Sequence, residues 1–253
     1  MKKKILTIKN LSKSYHDKKS EVKALDDINL DVYEKEFISI VGPSGCGKST
    51  ILSILSDLEE KSTGIIEKDK NLTIGYMLQN DSLFFWKTIL ENCLIGLEVT
   101  KKLDPESKTY VIELLKTYGL YEFKDKYPSS LSGGMRQRVA LIRTLAIKPD
   151  ILLLDEPMSA LDYQSRLAIS DDIYKIIKKE GKTAIMVTHD IAEPISLINM
   201  TPYLYPYAIR NLSKKKKVFI FLVFIKLNIY YFRYTIFFIP IFIHYHYFFN
   251  KLS

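Results

Sequence analysis

The sequence predicts an α/β domain built on a mostly parallel core sheet. Three short, continuously apolar runs indicate buried strands, at Phe37–Val41, 151–154 and 184–187. Segments with helical spacing of apolar residues lie at 49–58 and 163–180, between these strands. Apolar strands that alternate with helices are typical of a parallel sheet covered on both faces.

Smaller elements are expected around this core. Strand candidates at 5–8 and 25–32 precede it, and short strands and turns fill 61–78. Residues 83–130 have a helical pattern. Within them, Asp104 before Pro105 is typical of a helix start and Gly119 of a helix end.

Composition bounds the class of protein. A chain of 253 residues suits one domain with an appendage, and 47% of it is hydrophobic, which is enough for a sizeable core. Its two cysteines, Cys46 and Cys93, are too few for a disulfide framework and favour a reducing compartment. The basic residues 2–4 resemble the start of a signal peptide, but polar residues soon interrupt the apolar run, so secretion is not expected.

The net charge of +8 is confined to one end of the chain. Residues 1–200 carry 29 Lys and Arg against 29 Asp and Glu, and all eight excess cations follow Met200. Nucleic-acid binding requires a basic patch on a folded face. The charge distribution therefore argues against a nucleic-acid partner.

Residues 42–50 match the phosphate-binding P-loop pattern, between a strand and a helix as the pattern requires. Glycines let the backbone approach phosphate oxygens, which the loop N–H groups and the positive end of the next helix bind. Lys48 is expected to reach the β- and γ-phosphates, and the Ser49 hydroxyl to bind Mg²⁺. The predicted ATP-binding residues of the loop are Gly42, Pro43, Ser44, Gly45, Cys46, Gly47, Lys48, Ser49 and Thr50.

Two acidic residues follow the strand candidate at 151–154. The carboxyl end of a strand beside a P-loop is where the metal and the attacking water are expected. Asp155 suits the metal, and Glu156 suits polarising the water as general base. The alternative, a strand capped by solvated acids, is weak when the two acids accompany a P-loop.

The run Leu131-Ser132-Gly133-Gly134-Met135-Arg136-Gln137 resembles the signature motif of ABC transporter ATPases. With the P-loop and the acidic pair in the family's order, the resemblance covers about residues 6–197. It implies the roles of several further residues. Tyr15 would stack on adenine, Gln79 would sense the metal and contact the membrane partner, Asp162 would lie in the D-loop, and His189 would contact the γ-phosphate.

The resemblance also implies a mechanism. Two subunits pair head to tail around two ATP molecules, and Ser132, Gly133, Gly134 and Gln137 of one subunit complete the site of the other. ATP and Mg²⁺ are the implied cofactors, and a P-loop NTPase fold with a small antiparallel β subdomain and a helical subdomain is implied. The implied partners are a second copy, transmembrane permease subunits and, indirectly, a solute-binding protein, at the cytoplasmic face of the membrane.

Trp86 narrows the resemblance. A tryptophan seven residues after Gln79, followed by Thr-Ile and Glu-Asn, is similar to importers of nitrate, sulfonate, taurine and related small solutes. Packing within a subdomain is the alternative role of this side chain. Cys46, at the start of a helix, could have a lowered thiol pKa, but a small filler residue is the favoured interpretation.

The last 53 residues differ in composition from the first 200, which form the predicted ATPase domain. Residues 201–253 contain 17 aromatic residues and no Asp, Glu or Gly. A frameshifted C-terminus is the favoured interpretation. A membrane anchor at 218–249 and a divergent regulatory domain are the alternatives. If the tail is an artefact, the product lacks its last core strands and exposes a sheet edge.

Three other functions are possible for a chain with these motifs. ABC ATPases of DNA repair or translation have tandem domains or long coiled-coil insertions, and an exporter half-transporter has spans before its P-loop. Neither feature is present in this sequence. An inactive remnant with a damaged C-terminus stays open.

Overall fold

The computed structural model describes residues 3–17, 20–159, 161, 163–190, 204–213 and 216–225. In chain order the strands are β1 (Lys4–Asp17), β2 (Ser20–Tyr33), β3 (Phe37–Val41), β4 (Thr63–Lys68), β5 (Ile74–Met77), β6 (Ile151–Asp155), β7 (Thr183–Thr188), β8 (Leu204–Ser213) and β9 (Lys216–Ile225). The helices are α1 (Lys48–Leu55), α2 (Ile89–Val99), α3 (Pro105–Thr117), α4 (Gly133–Ala146) and α5 (Tyr163–Lys179).

The core is a six-stranded sheet in the order β5-β6-β7-β3-β9-β8. Its first four strands are parallel, which confirms the predicted sheet. Alternate residues of β6 enter different cores: Leu152 packs with α4 and α5, and Leu153 packs with α1 and the antiparallel strands. Burial on both faces explains why residues 151–154 of β6 are apolar at every position.

A second, antiparallel sheet has the order β2-β1-β4. β1 runs from Lys4 to Asp17, well beyond the predicted 5–8, because it is paired on both edges. Polar cross-strand pairs extend the pairing: Lys9 Nζ lies 2.8 Å from a carboxylate oxygen of Glu67 on β4. The apolar pattern alone does not reveal such pairs.

The helical subdomain begins at α2 and contains α3. Both helices have capping boxes, with Thr88 and Glu91 at α2 and with Asp104 and Ser107 at α3. The predicted start of a helix at Asp104 is therefore confirmed. Short 3₁₀ turns at Tyr121–Phe123 and Pro128–Ser130 lead from α3 to α4.

One carboxylate joins α3 to the end of α5. Glu180 accepts hydrogen bonds from the hydroxyls of Tyr110 at 3.1 Å and Tyr118 at 2.9 Å. Burial, together with the charge of Glu180, raises the pKa of both tyrosines. Both hydroxyls therefore stay protonated as donors to Glu180 at neutral pH.

The C-terminal strands complete the core sheet. β9 is antiparallel to β3, with Val41 opposite Phe221, and β8 is antiparallel to β9. β3 is therefore not an edge strand in this structure, and the exposed edge expected if the tail is an artefact stays a prediction. Residues 218–225 of the anchor alternative lie in β9, while 226–249 lie outside the described residues. Among the described helices, none is both long enough and apolar enough to cross a bilayer.

Candidate active site

The P-loop lies between the carboxyl end of β3 and the first turn of α1. The Gly42 N–H donates to the carbonyl of Thr188 at the end of β7, 3.2 Å away, which fixes the loop to the neighbouring strand. Gly47 is the N-cap of α1 and makes no side-chain capping bond. The first N–H groups of α1 therefore form an anion-binding end next to the loop.

Gly47 is required by local geometry. Its φ is +96°, in the left-handed region, and an added Cβ would lie 2.5 Å from the carbonyl oxygen of Ala24. Gly45 also has a positive φ, of +76°, but a Cβ there would meet no atom within 4 Å. The loop therefore needs glycine for two different reasons.

Lys48 is 4% exposed and points back over the loop. Its ammonium donates to the carbonyls of Gly42 at 2.8 Å and Pro43 at 3.0 Å. It also lies 3.4 Å from a carboxylate oxygen of Glu156. A buried cation at the centre of the loop suits the binding of phosphate.

Ser49 and Asp155 offer oxygen ligands side by side. The Ser49 hydroxyl donates to Asp155 Oδ1 at 2.9 Å. No group of three or more His, Cys, Asp or Glu side chains in the described part of the chain could hold a metal ion alone. Mg²⁺ usually takes one or two carboxylates together with phosphate oxygens and waters, so this donor set fits the predicted metal.

Tyr76 on β5 belongs to this site and was missed in the sequence. Its hydroxyl donates to Asp155 Oδ2 at 3.0 Å. Burial and the charge of Asp155 raise the pKa of Tyr76 to about 12, so the hydroxyl remains a donor at neutral pH. A polar-tipped side chain in the strand just before Gln79 was the available signal.

Glu156 is the point where the predicted catalytic residues meet. One of its carboxylate oxygens, Oε2, lies 2.9 Å from His189 Nδ1 and accepts from Gln79 Nε2 at 3.4 Å. Its backbone has φ +43°, a conformation that non-glycine residues rarely adopt, and its N–H donates to the carbonyl of Val187. The structure thus brings Lys48, Gln79 and His189 around one carboxylate.

Tyr15 lies at the side of the P-loop helix. Its hydroxyl is 3.5 Å from Thr50 Oγ1, and its side chain is 41% exposed. The Lys13 ammonium lies 5.0 Å from the ring centre. The position of Tyr15 is compatible with stacking on a nucleobase, and that role stays a prediction.

The signature segment opens α4. Ser132 is the N-cap and accepts from the N–H of Met135 at 3.3 Å, and its side chain is exposed. Gly134 packs so closely on α5 that a Cβ would lie 2.0 Å from Ile169 Cδ1. Ser132 and the N–H groups that follow it form a second helix start suited to an anion.

Gln137 does not share this exposed position. It is 2% exposed and lies beyond the first turn of α4, where its Oε1 has no hydrogen-bond partner among the described residues. Helical geometry turns this side chain inward in the single chain, and its contact with a second subunit stays a prediction. Asp162 of the predicted D-loop lies outside the described residues.

Cys46 is a filler residue in this loop. Its side chain is buried, and burial raises the pKa of the thiol, although the nearby Lys48 charge opposes this effect. The raised pKa therefore argues against activation of the Cys46 thiol by the start of α1. Alkylation of Cys46 at neutral pH should be slow.

Trp86 is not a core residue. It is 60% exposed and packs edge to face with Phe85, itself exposed, at a ring distance of 4.6 Å. This solvent-facing aromatic pair lies in the same loop as Gln79, so it offers an apolar contact to a partner protein.

Comparisons with known proteins agree with this geometry. The family model for ABC transporters matches residues 25–159. The chain is 48% identical over 198 residues to an uncharacterized ABC transporter ATP-binding protein, YtlC, of Bacillus subtilis, covering 76% of each chain. It is 38% identical to the taurine import ATP-binding protein of Jannaschia sp., covering 76% of this chain and 74% of the relative.

A solved structure shows the same fold. The dimeric ATP-binding cassette MJ0796 in a post-hydrolysis state with ADP and Pi is 34% identical, with a TM-score of 0.62. The match covers 75% of this chain and 90% of that one. On the family match, the relatives and the shared fold, this chain belongs to the ABC transporter family, as an ATP-binding subunit with ATPase chemistry.

Proposed function

We propose that this chain is the ATP-hydrolysing subunit of an importer of small solutes, of the taurine, sulfonate or nitrate type. The observation that carries the proposal is the meeting of Lys48, Gln79 and His189 at Glu156, next to the Ser49–Asp155 pair. This arrangement holds a buried cation, two oxygen ligands and a carboxylate base at the end of one sheet.

Each residue has a chemical task in hydrolysis. Lys48 and the N–H groups at the start of α1 bind phosphate charge. Ser49 and Asp155 would hold Mg²⁺, which neutralises charge on the phosphates. The Glu156 carboxylate accepts a hydrogen bond from the attacking water and polarises the water. His189 keeps the Glu156 carboxylate in place.

The second half of the site is assigned to another copy of the chain. Ser132 and the start of α4 are exposed and suited to an anion, yet they belong to a different element from the P-loop. The dimeric state of the MJ0796 cassette supports a paired arrangement. A head-to-tail dimer would place this segment at the phosphates bound by its partner.

The partners at the membrane follow from the exposed aromatic pair and from the relatives. Phe85 and Trp86 offer an apolar contact for a permease subunit at the cytoplasmic face. A relative named for taurine import supports a small organic solute as cargo. A separate solute-binding protein would deliver this cargo to the permease.

The test exchanges the central carboxylate for an amide. Glu156→Gln is expected to lower Mg²⁺-dependent ATP hydrolysis by about 10²–10⁴-fold while leaving ATP binding intact, because only the base is lost. Asp150→Asn is the matched control, since Asp150 stands at the opposite end of β6 and bonds only to Thr73 among the described residues. Hydrolysis rates and nucleotide affinity are measured on both variants.

The cargo is tested in cells of the source organism that carry Glu156→Gln in place of the natural gene. Uptake of labelled taurine, an alkanesulfonate and nitrate is measured. At least one uptake should fall to background. Lost hydrolysis with all three uptakes unchanged would contradict the solute class, and unchanged hydrolysis would contradict the assigned base.

A further inference from the structure

The loop that starts at Gln79 and ends at Thr88, called here the glutamine loop, contacts the candidate active site at its first residue. Gln79 donates to Glu156 Oε2 at 3.4 Å. Its carbonyl accepts from the Ser159 hydroxyl at 3.5 Å. A displacement of the Glu156 carboxylate would therefore also move Gln79, the first residue of this loop.

The middle of the glutamine loop is held by α4. Arg136 Nε donates to Asp81 Oδ2 at 2.9 Å, while Arg136 Nη1 donates to the carbonyl of Leu131 at 2.8 Å. Two turns further along α4, Arg143 donates to the carbonyls of Asp81 and Ser82, both at 2.7 Å. Two arginines on one face of α4 thus both bind Asp81, and Arg143 binds Ser82 as well.

The contact at Arg136 leads directly to the signature segment. The Arg136 N–H bonds to the carbonyl of Ser132 at 3.0 Å in the first turn of α4. Its guanidinium bonds to Leu131, the residue before Ser132. The Arg136 guanidinium therefore joins Asp81 to the residue before Ser132, while the Arg136 backbone closes the first helical turn at Ser132.

The two arginines differ in what they contribute. Arg136 and Asp81 are 37% and 28% exposed, and partly exposed ion pairs add little to stability. Arg143 bonds to two backbone carbonyls instead of a carboxylate, and these bonds hold the loop in place. The Asp81–Arg136 pair therefore fixes geometry more than it stabilises the fold.

We infer that Asp81 and Arg136 are a positioning pair that couples Gln79 at one chain's own site to Ser132, which serves the partner's site. This inference rests on the proposed head-to-tail dimer. Neither residue touches the reacting groups. Their effect is on the position of the signature segment when two chains close on ATP.

The experiment uses the full chain in a Glu156→Gln background, which binds ATP without turnover. Asp81→Asn and Arg136→Gln are compared singly and together. Asn at 81 can still accept from the Leu83 N–H as Asp81 does at 3.3 Å, so the loop turn is kept. Lys148→Gln is the control, because Lys148 and Glu106 form an exposed pair elsewhere on the surface.

Three quantities are measured: ATP affinity at low protein concentration, the ATP-dependent dimer dissociation constant by sedimentation, and Tm. Each single variant should bind ATP within about twofold of the parent and dimerise about tenfold more weakly. The double variant should lose no more than Arg136→Gln alone, because Asp81→Asn removes only the ion pair that Arg136→Gln already removes together with the bond to Leu131. The Lys148→Gln control should match the parent in all three.

Unchanged dimerisation in both single variants would overturn the inference, as would losses that add in the double variant. A fall in Tm with weaker ATP binding would show a merely structural role and overturn it as well. Absence of an ATP-dependent dimer in the parent would instead overturn the proposed dimer, and the inference with it.

Discussion

Glu156 combines an unusual backbone with a crowded carboxylate. Its φ of +43° costs of order 1–3 kcal/mol for a residue with a side chain. The N–H bond to Val187 and the contacts with Lys48 and His189 offset that cost. These contacts hold the carboxylate in the site in spite of its strained backbone.

At the P-loop, the two glycines with positive φ allow a matched prediction. Gly47→Ala should lower the free energy of unfolding by several kcal/mol, because the Cβ meets backbone at 2.5 Å in addition to the left-handed cost. Gly45→Ala should cost only about 1–2 kcal/mol, the left-handed cost alone. Urea unfolding without nucleotide measures both.

Equal losses at the two positions would mean that Ala24 moves aside from the new methyl group. In that case the close approach at Gly47 is not what requires glycine there. The wild-type protein and Gly119→Ala, another left-handed glycine with no atom within 4 Å of its Cβ, serve as references.

Single residues were predictable where a motif fixes them. Lys48, Ser49, Asp155, Glu156 and His189 meet in space because they end or follow neighbouring parallel strands. Other members of the site could not be found this way. Tyr76 and Asp81 make contacts between segments distant in sequence, and the burial of Gln137 was not predictable because a motif carries no information about which helix face is buried.

Among the elements, α4 and α5 cross at Gly134. An added Cβ there would lie 2.0 Å from Ile169 Cδ1, in a buried contact. Gly134→Ala gains up to about 1 kcal/mol of helix propensity but costs about 1–3 kcal/mol by overpacking. We expect a net loss and a Tm lower by roughly 2–6 °C.

Ile169→Val is the matched partner variant, because it removes the methyl group that the new Cβ would contact. Alone it should cost about 0.5–1.5 kcal/mol. In its background, Gly134→Ala should be nearly neutral by differential scanning calorimetry. A Gly134→Ala loss of the same size in both backgrounds would contradict the contact as the cause.

Most elements were predictable from periodicity and end signals. The buried strands and the helix at Pro105–Thr117 follow from apolar runs and from the Asp104 cap. The length of β1 was not predictable, because its outer half is mostly polar and pairs with β2, while β4 pairs with β1 only as far as Ser12. Pairing, and not hydrophobicity, extends that strand.

For the molecule as a whole, the C-terminal strands matter most. The run Lys216–Ile225 is apolar after its two lysines, as expected of a strand inside a sheet, and it lies between β3 and β8. The composition of residues 201–253 indicated a tail apart from the ATPase domain. Aromatic and basic content does not reveal strand order, so the pairing of β9 with β3 was not predictable. The frameshift hypothesis stays a prediction, which reading the other frames of the gene past codon 197 will decide.

Removal of β8 and β9 should lower the stability and the solubility of the chain. A chain that ends at Tyr203 should aggregate or unfold at a lower Tm, because the edge of β3 would lose its pairing with β9. A chain that ends at Ile225 keeps both strands and should behave like the full chain. Light scattering and thermal unfolding compare the three lengths, and equal stability of the chain that ends at Tyr203 would contradict a role for β9 in the core.

The pairing of β3 with β9 also bears on the order of events during synthesis. Val41 and its partner Phe221 are 180 positions apart, so at about 5–20 residues per second the ribosome makes one roughly 10–40 s after the other. During that interval the strand that carries the P-loop has β7 as its only other neighbour in the described sheet, once β7 has emerged. The nascent chain therefore holds an open edge at β3 until β9 has been made, which makes it a substrate for chaperones that shield such edges.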